Sequence, residues 1–111
     1  MEIKEFNGEG YQSLVSYNGW RVAIVNACER LKEENLCRME RHLKTNEVFI
    51  LLQGEANLYI GENRRCFPLV AGKIYNVQCG EWHCISMKDN AKVAVIENDD
   101  TNDENTERVY F

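Results

Sequence analysis

Residues 40–54 read Glu-Arg-His-Leu-Lys-Thr-Asn-Glu-Val-Phe-Ile-Leu-Leu-Gln-Gly. One histidine and two carboxylates stand just ahead of five consecutive apolar residues and a glycine. The chain has only two histidines, and this stretch holds one of them. A four-residue connection at 43–46 predicts a hairpin in which His42 and Glu47 oppose each other, and directly opposed residues share a face of a sheet. Side chains repeat every second residue along a strand, so Glu40 joins that face and Arg38 falls one step further out. Phe49 and Leu51 would continue the same face and line its apolar surround. Val48, Ile50 and Leu52 point the other way, so the strand 47–53 is expected to be covered on both sides.

Working outward, short apolar runs alternate with turn signals roughly every ten residues, and no long helical period appears. Trp20 to Leu31 reads as β-rich, with Trp20, Val22 and Ile24 alternating with Arg21, Ala23 and Val25. Strands are expected at about 36–42, 47–53, 56–60, 64–69, 73–77, 83–87 and 92–97, with a hairpin around residues 61–63. Tyr11 to Tyr17 fits either a turn of helix or an edge strand, and Asn18-Gly19 is a strong turn signal. Eight or nine short strands argue for an all-β sandwich or barrel. The chain is read as one domain over 1–111: an N-terminal segment 1–18, a β-barrel core 19–97 and an acidic C-terminal tail 98–111.

Composition narrows the function classes. A chain of 111 residues with 44% hydrophobic and 28% charged residues is an ordinary globular domain. Five cysteines, odd in number and without Cys-x-x-Cys spacing, argue for buried free thiols rather than a disulfide framework. With no apolar run of membrane length and no signal-peptide pattern at the start, a cytoplasmic location without a membrane partner is expected. Net charge is −5, and residues 97–107 carry six acids and no base, read as a solvated tail whose apolar end, 109–111, docks on the barrel or a neighbour. No basic stripe is present, which argues against a nucleic-acid partner.

The second histidine, His83, follows Gly72 by eleven residues and Gly80 by three. With both stretches in view the chain resembles the cupin superfamily. Its first motif runs glycine, five residues, His-x-His, three or four residues, glutamate, six residues, glycine. His42, Glu47 and Gly54 fit that spacing. Its second runs glycine, five residues, Pro-x-Gly, two residues, histidine, three residues, asparagine. Gly72, Gly80 and His83 fit it. Glu40 stands where the first histidine is expected, Gln78 where the proline is, and Met87 where the asparagine is. The resemblance covers residues 38–87.

It implies a double-stranded β-barrel, a cupin-like jelly roll with little helix, commonly a homodimer, with an interior pocket for a small molecule. It also implies a divalent ion (Fe, Mn, Zn or Ni) on His42, Glu47, His83 and Glu40, although some members bind no metal. Two nitrogens with one or two carboxylates are a fitting set for such ions. Glu40 is alternatively a general base or a salt-bridge partner, and Arg38 either holds an anionic group or serves as a counter-ion. Trp82 and Cys84 fall on the face opposite His83. Two functions follow: a metal-dependent isomerase, lyase or oxygenase, or a non-catalytic binding or sensing module, with a degenerate metal-free barrel as the blander form.

Overall fold

Alternation of apolar and polar residues builds ten strands in the computed structural model, which describes all residues from Met1 to Phe111. They are β1 (Gly10–Tyr17), β2 (Trp20–Asn26), β3 (Arg38–His42), β4 (Glu47–Gln53), β5 (Ala56–Ile60), β6 (Arg65–Pro68), β7 (Tyr75–Val77), β8 (His83–Met87), β9 (Lys92–Asn98) and β10 (Thr106–Tyr110). Three single turns of 3₁₀ helix, at Glu29–Leu31, Glu33–Asn35 and Asp103–Asn105, are the only helical pieces. The strands form two five-stranded antiparallel sheets, ordered β1-β2-β9-β4-β7 and β10-β3-β8-β5-β6. Their inner faces enclose a core containing Ala23, Phe49, Leu51, Leu58, Val93 and Val95. No helix is long and apolar enough to cross a membrane.

The parity of each strand decides what reaches the interior. On β4, Glu47, Phe49 and Leu51 are buried while Leu52 is exposed, as the alternation predicts. On β2 the inward set is Ala23 and Val25, which also turns Arg21 inward. On β9, Val93, Val95 and Glu97 are buried in alternation. On β8 and β5, His83 stands opposite Ile60 and Ile85 opposite Leu58.

Several expectations are corrected. β3 and β4 are not hairpin partners: β3 pairs with β8 and β10, whereas β4 pairs with β7 and β9. Residues 43–46 instead carry the chain from one sheet to the other, held by Thr45 Oγ1 accepting from the Asn98 amide at 2.9 Å and by the Leu43 amide donating to the Asn105 carbonyl at 2.9 Å. The β2 strand stops at Asn26, where β-branched alternation ends, and two 3₁₀ turns lead into β3. Tyr11 to Tyr17 lies in the edge strand β1, with an irregularity between Ser13 and Val15.

The acidic segment is not a solvated tail. Glu97 is buried, Asn102 caps the turn at 103–105, and β10 pairs with β3 over five residue pairs, with Phe111 returning an amide to the Cys37 carbonyl. Alternation within β9 and backbone pairing outweigh the high local charge. The cysteines are free, but none is fully buried: Cys37, Cys66 and Cys79 are exposed, and Cys28 and Cys84 are intermediate. Cys28 packs partly against the core, and the others occupy turns or strand positions outside it.

Candidate functional site

The site lies where the two sheets face each other at one end of the interior. Glu40 and His42 come from β3, His83 from β8, Glu47 from β4 and Glu97 from β9. Glu40 stands directly opposite His83 in the β3–β8 ladder. The turn before β8 fixes the end of β3, because the Gly80 amide donates to the His42 carbonyl at 2.8 Å. Gly80 adopts φ +86°, a conformation favoured for glycine. Gln78 occupies the expected proline position, and its free amide is satisfied by Glu81 Oε2 at 2.8 Å, so the turn is closed by a side chain instead.

Glu47 is the hub. Its Oε1 lies 2.9 Å from His83 Nε2 and its Oε2 lies 3.3 Å from His42 Nε2. His83 Nδ1 donates to the Glu81 carbonyl at 3.1 Å, since a carbonyl oxygen only accepts. That nitrogen carries a hydrogen, so a hydrogen bond from His83 Nε2 to an ionised Glu47 requires the imidazolium. Burial opposes both charges. The contacts of Glu47 with His42, His83 and Glu97 nevertheless hold its carboxyl well below the usual range, and Glu47 raises the His83 imidazole despite its burial. His42 is oriented by Thr106 Oγ1, 2.8 Å from its Nδ1. Its Nε2 lacks hydrogen-bonding geometry to Glu47 and is buried without a partner.

Glu97 is the residue that the sequence reading missed. One oxygen accepts from Arg21 Nη2 at 2.7 Å, Arg21 Nε at 3.2 Å and the Tyr11 hydroxyl at 3.1 Å. The other, Oε2, is buried with no partner. Burial and the neighbouring Glu47 push its carboxyl up to about 7, against the pull of Arg21. The signal was available: Val93, Val95 and Glu97 share one parity. Assigning Glu97 to an acidic run hid it.

The expected residues are therefore brought together, but across the interior rather than along one hairpin. Donor atoms of His42, Glu47 and Glu97 lie within 4.8 Å of one another, as do those of Glu40, His42 and His83. Glu40 is also held by Arg108 of β10 at 3.3 Å. Phe49 packs its ring edge on His83 at 6.0 Å between centroids. Arg38 lines the same cavity, of about 360 Å³, together with these residues. Trp82 lies on the outer side beneath the Arg41 guanidinium, 4.6 Å from the ring centroid.

The donor set fits a divalent ion. Both imidazoles have Nδ1 anchored outward and Nε2 turned toward one carboxylate, the arrangement by which outer partners orient metal-binding histidines. Two buried atoms of the cluster, His42 Nε2 and Glu97 Oε2, have no partner in the protein, and unsatisfied buried polar atoms are costly.

No family model matches the sequence, and no curated protein sequence matches it. Among solved structures, a cupin-2 domain protein from Shewanella frigidimarina superposes with a TM-score of 0.64 at 21% identity, over 84% of each chain. Streptomyces Pac13, described as a nucleoside dehydratase, gives 0.67 at 12% identity over 97% of this chain and 85% of its own. Variants of Pac13 have been solved with uridine. Fe(II) HppE gives 0.62 at 16% identity over 79% of this chain and 48% of its own. The chain has the cupin fold, with a buried His/Glu cluster inside it.

Proposed function

We propose that this cupin-fold protein holds a divalent metal on His42 Nε2, His83 Nε2, Glu47 and Glu97, and acts as an isomerase or lyase on a small polar molecule. The observation that supports it is the convergence of two outward-anchored imidazoles on one buried carboxylate, beside two buried donor atoms without partners. Two nitrogens and two oxygens suit Fe, Mn, Zn or Ni. Such an ion, when bound, supplies Lewis-acid polarisation of a carbonyl or enolate oxygen, or an activated water. An oxygenase needs the same donors with positions left open.

Within this reading His83 would offer a neutral Nε2 as donor, with Nδ1 kept protonated by the Glu81 carbonyl. Glu97 enters with its ionised form favoured by Arg21 and Tyr11. Glu40 is left off the donor set: Arg108 holds it at the cavity wall, where it would take or return a proton on the ligand. Phe49 and the apolar core behind it keep water from that side. A cytoplasmic setting suits five free thiols.

One observation favours a second reading. Glu47 already pairs with the His83 imidazole at 2.9 Å, so that pair is balanced without a cation, and the cluster would then serve as a metal-free acid–base or binding site. Pac13, described as a nucleoside dehydratase, shares the fold and makes nucleosides sensible members of a ligand screen.

Elemental analysis of protein produced in metal-replete medium separates the two. The metal reading expects one ion per chain, lost in His42→Ala and His83→Ala, weakened in Glu97→Gln and kept in Glu40→Gln. Metal-free wild-type protein from that medium would sink it, and loss in Glu40→Gln with retention in Glu97→Gln would reverse the assignment of the fourth donor.

A further inference from the structure

Five charged side chains other than the Glu47–histidine cluster line the cavity wall and mouth with assigned partners: Arg21 on Glu97, and Arg108 on both Glu40 and Asp103. That leaves Arg38, half-buried on β3, and Arg30, exposed on the turn before it. Both line the cavity, and neither has an acid within ion-pair distance. In a chain with 18 acids and 13 bases, two cavity arginines without an acid run against the overall charge balance.

From this we infer that the cavity takes a small molecule carrying an oxyanion group, a carboxylate or a phosphate, which docks on Arg38 with Arg30 behind it. The inference rests on the metal-site reading only for what the other end of the ligand meets. Arg38, Glu40 and His42 share one face of β3, so Arg38 stands about 13 Å in backbone distance from His42. A ligand of several heavy atoms would therefore place its anion on the guanidinium and its polar groups at the buried cluster. The planar fork of arginine matches carboxylate and phosphate oxygens bidentately, which an ammonium does not. Arg108 is unsuited to the role because Glu40 and Asp103 already occupy it. A cavity of about 360 Å³ accommodates a molecule of sugar-acid or sugar-phosphate size.

The test is calorimetric titration of the full chain in chelator with glucose, gluconate and glucose 6-phosphate. The expected result is that at least one anionic probe binds about tenfold or more tighter than glucose, and that Arg38→Gln abolishes this preference. Tightening by gluconate alone assigns a carboxylate, and tightening by the phosphate alone assigns a phosphate ester. Arg30→Gln should reduce the preference more weakly. Arg41→Gln, on the outer side, should leave it intact. Equal binding of charged and neutral probes, or no binding of any probe, overturns the inference, as does a preference that survives in Arg38→Gln. Loss of the preference in Arg41→Gln to the same degree would show only general surface charge and also overturns it. Metal content of Arg38→Gln is measured separately, so failure of the metal assignment leaves this result readable.

Discussion

At the scale of single residues, Glu47 has the most to lose. It balances the His83 imidazolium and lies between two buried Nε2 atoms. In chelator, Glu47→Ala should cost roughly 3 kcal/mol by urea denaturation near neutral pH, the usual effect of breaking a buried ion pair. The sign follows from the two shifts. Glu47, held low, contributes stability that is present above an ordinary carboxyl pKa of about 4.3 and lost as pH falls toward its depressed value. His83, held high, contributes stability present below its unfolded value and lost as pH rises through its folded one. The deficit of the variant should therefore be largest in the weakly acidic to neutral range and shrink in strong acid; a deficit independent of pH would contradict the pairing. Cys84 gives a second residue-level expectation. Burial, with Arg64 opposing and Glu40 assisting, pushes its thiol up to about 11. At pH 8 its thiolate fraction is on the order of 0.1%, so mass-mapped alkylation should label exposed Cys37, Cys66 and Cys79 first. Labelling of Cys84 as fast as Cys37 would contradict that environment.

At the scale of elements, the turns position the site as much as the strands do. Gly54 closes β4 at φ +76°, and a Cβ there would sit 2.7 Å from the Ala91 Cα. Gly54→Ala should cost about 2 kcal/mol or more by thermal denaturation, whereas Gly72→Ala, at φ +89° with open space around it, should cost nearer 1. Equal losses would mean that only the backbone angle matters. The bounds of β4 and β8 were legible because each run is closed off by polar or turn residues, Gln53-Gly54 at the end of β4 and Lys88-Asp89-Asn90 after β8, and both coincide with the expected bounds. The partnership of β3 was not legible. A four-residue link between two strands serves a hairpin or a crossing between sheets equally well in local terms. Only the pairing of β3 with β10, 64 to 72 positions later, shows which. For the same reason β10 itself was hidden: its residues alternate weakly, and its strand exists by pairing with β3.

At the scale of the whole molecule, the expected homodimer is argued from the outer face of the β1-β2-β9-β4-β7 sheet. Val22, Ile96 and Val48 form one row across it, and Ile24, Ala94 and Ile50 the next, with Leu52 48% exposed. Light scattering at micromolar concentration should give about twice 12.9 kDa, and Ile50→Glu should return it to one chain. A wild-type mass of one chain would remove that expectation. The sequence alone determined the all-β class, most strand bounds, and the grouping of His42, Glu47 and His83, because side-chain alternation and motif spacing can be read along the chain. Tertiary structure alone decided that these residues meet across two sheets, that Glu97 with Arg21 and Tyr11 joins them, and that Arg108 claims Glu40. Those contacts join residues up to 86 positions apart, and only the packing of one sheet on the other brings such residues within hydrogen-bonding distance.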